Sequence, residues 1–401
     1  MPEAVIVSTA RSPIGRALKG SLTSIRPDDL AAQIVKAALA KVPQLDPNSI
    51  EDLLLGCGQP AGESGVNLGR VVAILSDLPN VPGVTVNRYC SSSLQTIRMA
   101  AHAIRAGEGD VFIAAGVETV SRFVNGMADD GPANEKFAEA QARTASRAAG
   151  EGGDWAPPAG LPDIYIAMGQ TAENVAELEH VAREDQDAYA AQSQQRATES
   201  LENGYWAEEI TPVTLPDGTV VSQDDGIRPG TTAEGLAGLK PVFKPNGSVT
   251  AGNACPLNDG AAAVIVMSDT KAKELGLTPL ARVVATGVSG LNPEIMGLGP
   301  VEAIRQTLGR ANKTIDDIDL VEINEAFAAQ VIPSAKHLGI SWDKLNTRGG
   351  AIAIGHPFGM TGARIATTLI HNLQATDGTF GLESMCVGGG QGMALLLERL
   401  S

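Results

Sequence analysis

Cys90 stands in Val86-Asn87-Arg88-Tyr89-Cys90-Ser91-Ser92-Ser93-Leu94-Gln95, where a β-type run gives way to a helix of small residues. The run Gly83-Val84-Thr85-Val86 has strand character. From Ser91 to Ala106 there is no Pro or Gly, and Leu94, Ile97, Ala101 and Ile104 recur at helical spacing before Gly107 stops the pattern. A thiol at a helix N-terminus feels the positive end of the macrodipole and unpaired N–H groups, and both favour thiolate. The position suits a nucleophile. A lone buried structural cysteine is the plain alternative, so the rest of the chain has to decide.

Three further segments bear on that decision. In Glu322-Ile323-Asn324-Glu325-Ala326-Phe327-Ala328 an apolar strand ends in Asn-Glu, which reads as a functional pair or as a helix cap. In the run 349–364, His356 sits between Gly355 and Pro357 at what reads as a strand-to-helix junction, followed by the helical apolar face Ala366, Leu369, Ile370 and Leu373. Ser384-Met385-Cys386-Val387-Gly388-Gly389-Gly390-Gln391-Gly392 puts a second thiol beside glycines whose backbone N–H groups can approach a ligand closely. Phosphate loops lead into a helix, whereas an apolar strand follows here, so an oxyanion hole fits better. A thiolate makes thioesters, an imidazole takes the thiol proton, and a second thiol exchanges protons with a carbon acid or an incoming thiol. Backbone donors and Asn324 can hold enolate and tetrahedral oxyanions. That set describes a Claisen-type site, since a hydrolytic cysteine site has no use for the second thiol.

The elements that position these residues read as two similar halves. A helical stretch (30–42) leads to Ser49-Ile50-Glu51-Asp52-Leu53-Leu54-Leu55-Gly56, and another (301–311) leads to Thr314-Ile315-Asp316-Asp317-Ile318-Asp319-Leu320-Val321. Ile50 and Ile315 are related by nearly the same offset as Cys90 and His356. The expected organisation is an N-terminal α/β half over 1–120 closed by a strand within 250–270, an inserted loop domain over 121–249, and a C-terminal α/β half over 271–401. The insertion opens with a polar, Ala- and Gly-rich stretch (125–160). It continues as a long helical region (165–203) and ends in turns and short strands (212–244). Strands alternating with helices imply an α/β fold with sheets covered on both faces.

Bulk properties narrow the classes of function. The chain has 401 residues, 43% hydrophobic and 19% charged, too long for one simple core. A net charge of −16 and 3% aromatic residues argue against binding nucleic acid or anionic membranes. No apolar stretch reaches the ~20 residues that span a bilayer, and nothing at the N-terminus reads as a signal peptide. Cys57, Cys90, Cys255 and Cys386 lie far apart with no C-x-x-C pair, against zinc or a disulfide framework. A cytoplasmic protein without a metal is expected.

Asn87-Arg88-Tyr89-Cys90-Ser91-Ser92, Met168-Gly169-Gln170-Thr171-Ala172-Glu173-Asn174, Thr250-Ala251-Gly252-Asn253, Asn258-Asp259-Gly260-Ala261-Ala262, Asn324-Glu325-Ala326-Phe327, the run 349–364 and Cys386-Val387-Gly388-Gly389-Gly390 resemble the blocks of the thiolase family, in its order and over nearly the whole chain. That family comprises acetyl-CoA acetyltransferases and 3-ketoacyl-CoA thiolases. The resemblance implies two similar α/β halves in layered sheets and helices, a loop domain that binds coenzyme A, and a homodimer or homotetramer. No tightly bound cofactor is implied, coenzyme A being substrate and product. By matching position Cys90 would be the acylated nucleophile, His356 its activator, and Cys386 the acid/base toward the α-carbon or the second CoA thiol. Asn324 would hold a water in one oxyanion hole, and the N–H groups of Cys90 and Gly388 would form the other. Met168, Cys255 and Phe327 fall in blocks near the acyl-CoA, and the insertion offers Arg183, Arg228 and Lys244 to its charged end.

Three departures stand out. Cys255-Pro256 replaces the family's usual Ser-Gly, Ala167 stands where dedicated acetoacetyl-CoA synthases carry His, and Arg348 replaces a usual Asn. The expected reaction is ping-pong thiolysis of 3-ketoacyl-CoA, with condensation of two acetyl-CoA as the alternative. A non-catalytic acyl-CoA or lipid carrier would have lost one of Cys90, His356 and Cys386. An NAD enzyme would need a G-x-G-x-x-G between strand and helix, which is not present.

Overall fold

The computed structural model describes residues 2–123, 131–151 and 153–401. Its strands are β1 (Ala4–Arg11), β2 (Asp52–Gly56), β3 (Gly83–Val86), β4 (Val111–Thr119), β5 (Asn258–Ser268), β6 (Ala281–Gly290), β7 (Leu320–Ile323), β8 (Phe380–Val387) and β9 (Gln391–Arg399). With a two-residue strand, Gly15–Arg16, that pairs with β5, they form a ten-stranded sheet in the order β7-β8-β9-β6-β1-β5-β4-β2-β3. The duplication is visible in this order. In the first half β2 runs parallel to β4, β4 antiparallel to β5, and β5 antiparallel to β1. In the second, β7 runs parallel to β8, β8 antiparallel to β9, and β9 antiparallel to β6. The halves join where Val5 and Ile6 of β1 pair with Arg282 and Ala281 of β6.

Alternation along the strands divides the core into layers. Val111, Ile113, Ala115 and Val117 face one cluster with helices α1 (Pro27–Ala40) and α2 (Leu68–Leu75), while Phe112 and Ala114 face a second. The second cluster takes Met393, Leu395 and Leu397 of β9, whose Ala394 and Leu396 turn to a third cluster. Helix α3 (Ser92–Ala106) of the first half and a later helix, Thr361–Thr376, of the second half fill the middle cluster. The result is an α/β protein in five layers, helices outside each half-sheet and one shared helical layer between them.

The insertion departs from expectation in two places. The helical region is two helices, α4 (Met168–Leu178) and α5 (Arg183–Glu202), because His180 takes a left-handed conformation (φ 52°) that ends the first. Downstream, Val213–Thr214 and Val220–Val221 pair as a short antiparallel ribbon, consistent with turns and short strands, but Ala233–Ala237 form a short helix, capped by Thr232, that this reading lacked. The insertion's segment 124–130 lies outside the described residues. Among the described residues no helix is long and apolar enough to cross a membrane. In the second half, α6 (Gly299–Ala311) and α7 (Ala328–Leu338) cover the outer face, and α8 (Thr361–Thr376) is the helix of the shared layer.

The N-termini of α3 and α8 meet. The N–H of Ala363 donates to Ser93 Oγ at 2.9 Å. A Cβ on Gly362 would come within 2.3 Å of the Leu94 nitrogen, so only glycine allows the approach. Gly362→Ala should therefore destabilise by about 1–3 kcal/mol through overpacking, read as a lower denaturant midpoint. It should also lower activity, because both helices carry the segments described next.

Candidate active site

Cys90 lies in a single 3-10 turn, Tyr89–Ser91, between β3 and α3. The turn is sharp, with Tyr89 at φ 43°, and side chains staple it. Asn87 Oδ1 accepts from the Tyr89 N–H at 2.8 Å, and Ser92 Oγ accepts from the Arg88 N–H at 2.9 Å. The thiol is 8% exposed. Burial pushes it up to about 12, against the N–H groups of Gly388 and of Cys90 itself, which point at the sulfur. The helix-end effect read from sequence is thus outweighed by desolvation, and the resting group is a neutral thiol. Gly388 belongs to the tight turn joining β8 to β9, where Val387 pairs with Gln391 and Gly389 and Gly390 have φ 76° and 78°.

His356 does not follow a strand. Residues Ala351–Ile354 form one helical turn, whose Ile352 N–H donates to the buried Glu325 carboxylate at 3.1 Å. The run Ala-Ile-Ala-Ile is buried on all sides, so it lacks the alternation that separates strand from helix. Gly355 at φ 111° then turns the chain where a Cβ would strike the Asn258 side chain. Asn258 Oδ1 accepts from the His356 N–H at 2.9 Å. The imidazole Nδ1 lies 2.6 Å from Thr361 Oγ1, whose hydroxyl already donates to the Pro357 carbonyl at 2.8 Å. Nδ1 is therefore assigned as the donor, leaving the lone pair on Nε2. Burial, with the charge of Arg364, moves the imidazole down to about 3. The site rests as a neutral thiol and a neutral imidazole.

Asn324 follows β7, with its N–H on the Ser384 carbonyl of β8 at 2.9 Å. Its amide nitrogen lies 3.4 and 3.3 Å from the two ring nitrogens of His356, while its Oδ1 is buried without a partner among the described residues. Cys386, fully buried near the end of β8, lies 3.6 Å from the Gln330 amide of α7. Hydrogen bonding assigns the amide nitrogen to that side, donating to the Asn324 carbonyl at 3.1 Å. Burial, then Cys90 and Cys255, hold the Cys386 thiol well above its ordinary range. Cys255 is thus a third thiol facing the pair, and burial and Cys90 raise it too. Glu325 accepts from Tyr189, Ser193, Asn346 and Ile352, and so fastens α5 to the His356 segment. Thr361, Asn258 and Gln330 escaped the sequence reading. Asn258 and Thr361 lie inside segments singled out there, but nothing in the pattern marked what they hold.

A cleft of about 260 Å³ opens at Cys90, lined by Gly58, Gln59, Tyr89, Ile164, Met168 and Phe358 among others. Phe327 is buried against Phe243 with ring centroids 6.2 Å apart. Arg228 is exposed, lines a separate hollow with Leu236, Gly252, Ala254 and Pro256, and its guanidinium makes no ion pair among the described residues. Lys244 is paired with Glu177, which also holds Arg147. Arg183 bonds Asp187 and the carbonyls of Leu236 and Leu239. Arg348 stacks on Tyr205 and donates to Asn372 at 2.9 Å, a structural role.

With a thiol raised to about 12, the thiolate fraction grows about tenfold per pH unit below that value. Alkylation of Cys90 by iodoacetamide, followed on its own peptide by mass spectrometry, should climb from pH 6 to 10 without a plateau. A plateau beginning below pH 7 would instead mark a preformed thiolate–imidazolium pair.

Residues 4–270 match the family model "Thiolase, N-terminal domain", and residues 277–399 match "Thiolase, C-terminal domain". The 3-oxoadipyl-CoA/3-oxo-5,6-dehydrosuberyl-CoA thiolase of Escherichia coli (strain K12) is 45% identical over 408 residues, covering 100% of both chains. The 3-ketoacyl-CoA thiolase of Bacillus subtilis (strain 168) is 44% identical, over 99% of this chain and 100% of the relative. Among solved structures, the Bacillus anthracis acetyl-CoA acetyltransferase superposes with a TM-score of 0.87 at 38% identity, covering 100% of this chain and 99% of that one. Both domain models and full-length relatives of this identity make the chain a member of the thiolase family, a CoA-dependent acyltransferase.

Proposed function

We propose that this thiolase cleaves 3-ketoacyl-CoA with CoA, giving acetyl-CoA and an acyl-CoA shortened by two carbons. The observation that carries the reading is the convergence of two N–H groups on Cys90 Sγ beside a second buried thiol, at the mouth of a largely apolar cleft. At about 260 Å³ the cleft exceeds the roughly 150 Å³ that holds a benzene, more room than an acetyl group uses. The name of the Bacillus subtilis relative supports the same substrate class.

In this reading Cys90 Sγ attacks the 3-keto carbon as its proton passes to His356 Nε2. The N–H groups of Cys90 and Gly388 take the oxyanion that forms. The bond between C2 and C3 breaks, its electron pair leaves on C2 as the enolate of acetyl-CoA, and the Cys386 thiol protonates C2. Protonated Nε2 and a water held by Asn324 Oδ1 stabilise that enolate. The Cys386 thiolate then takes the proton of the incoming CoA thiol. Its sulfur attacks the acyl group, and Cys90 leaves with the proton returned by His356. Met168, Cys255 and Phe327 flank the pantetheine arm. Arg228 meets the phosphates, and Lys244 braces the neighbouring wall through Glu177. The protein works in the cytoplasm, consistent with four free cysteines. It works as a homodimer, or a homotetramer made of two such dimers, formed over the edge strand β3 and the exposed Ile74 and Leu75 of the adjoining α2.

Incubation with acetyl-CoA should add one acetyl group, on the Cys90 peptide. Cys386→Ser should keep that acetylation but lose ~10²–10⁴-fold in thiolysis of 3-ketoacyl-CoA, the worth of one general acid/base. Acetylation of Cys386 in place of Cys90, or near-normal thiolysis by the folded variant, would reverse the two roles. Arg228→Gln should raise KM for CoA and flatten its dependence on salt with kcat little changed, because remote charge binds ground and transition states alike. An unchanged KM would place the phosphates elsewhere. A steady-state panel from acetoacetyl-CoA to longer 3-ketoacyl-CoA tests the substrate class. Activity confined to acetoacetyl-CoA would refute the longer chains.

A further inference from the structure

Glu118, at the penultimate position of β4, is fully buried and its hydrogen bonds go to none of the groups that exchange protons in the scheme above, although its charge contributes to raising the Cys90 thiol. Its carboxylate gathers donors from both halves of the molecule. Oε2 accepts from the N–H groups of Gly58 and Gly359, each at 2.8 Å. Oε1 accepts from the Gln59 N–H at 3.2 Å and from the Cys57 thiol at 3.6 Å. Cys57, Gly58 and Gln59 follow β2 of the first half, and Gly359 follows His356-Pro357-Phe358 of the second.

Glycines allow these backbones to come within reach of one carboxylate. A Cβ on Gly116 would lie 2.0 Å from the Gly359 carbonyl, and one on Gly359 would lie 2.2 Å from the Val117 carbonyl. A Cβ on Gly58 would meet that of Phe358 at 2.9 Å. The segments so joined pack directly on one another and form one continuous side of the cleft beside Cys90, since Gly58, Gln59 and Phe358 all line it. Phe358 also packs edge-on against the His356 ring, centroids 5.3 Å apart. An ionised carboxylate is costly to bury without partners. Burial raises this carboxyl to about 7, and the four donors that surround it among the described residues work against that rise and favour the ionised form.

We propose that Glu118 is a positioning residue for acyl transfer, holding the Gly58–Gln59 backbone against Phe358 as one wall along which an extended acyl chain lies. This rests on the reading that the cleft holds that chain. The carboxylate acts through backbone N–H groups, so its removal lets the two segments of that wall part. The loss should grow with the length of chain lying along it.

The test compares wild type with Glu118→Gln, which keeps one oxygen but turns an NH2 toward existing donors. The measurements are Tm and kcat/KM for acetoacetyl-CoA and 3-oxooctanoyl-CoA. A small misplacement costs up to ~10²-fold, so the expected losses are about threefold for the short substrate and about thirtyfold for the long one. Most of the second should appear in KM. In a Phe358→Ala background, with the side-chain half of that wall already removed, Glu118→Gln should no longer change the ratio between the substrates. Equal losses on both substrates, no loss on either, or an undiminished effect without Phe358 would each overturn the proposal. Glu118→Asp, which keeps the charge but draws the oxygens back, gives the same readout if the Gln variant does not fold. Failure of both to fold would make the residue structural and overturn the proposal. Failure of wild type to cleave 3-oxooctanoyl-CoA would instead refute the reading of the cleft.

Discussion

The contact between the N-termini of α3 and α8 is the constraint on which the site depends. Two helices from different half-sheets are held end to end by one hydroxyl, Ser93, and by the absence of a side chain at Gly362. Each is anchored along its length in the shared middle layer, so neither end can shift without repacking that core. The turn carrying Cys90 leads into one, and the segment carrying His356 leads into the other. The sheet itself contributes little to this meeting, since the halves share only two residue pairs between β1 and β6.

The same compaction sets the electrostatics. Enclosing a thiol and an imidazole disfavours every charged form, and burial is the largest cause for Cys90, His356 and Cys386 alike. A preformed ion pair would be poorly solvated there. Charge has to appear with substrate present, when N–H groups already aimed at the sulfur can meet it. The Nδ1–Thr361–Pro357 chain fits this requirement, holding one imidazole tautomer without placing a formal charge behind it.

Much of this was legible in the sequence because glycine, proline and cysteine act locally. The glycines after Cys386 and around His356 mark tight backbone turns whatever surrounds them. The helix after Cys90 follows from its own spacing, and the repeat of Ile50 and Ile315 anticipated two similar α/β halves. What stayed hidden depends on contacts between distant segments. The run Ala351–Ile354 reads as strand in sequence, whereas in the fold it is a helical turn whose Ile352 N–H meets the Glu325 carboxylate. Lys244 and Arg183 look like free cations in sequence but meet acidic partners in the fold. Arg348 looked anomalous and is an ordinary stacking partner of Tyr205. The pull of a helix end on Cys90 could be read from spacing, whereas its desolvation could not.

The matching order of the two half-sheets has a consequence for how such chemistry arises. Two separate copies of one half could pair about a two-fold axis, but symmetry would oblige both helix ends to present the same residue. A thiol would then face a thiol, or an imidazole an imidazole. Joining the halves in one chain releases that obligation, so that equivalent junctions in the fold carry a nucleophile on one side and a base on the other. Covalent linkage here turns a symmetric scaffold into one with a chemical direction.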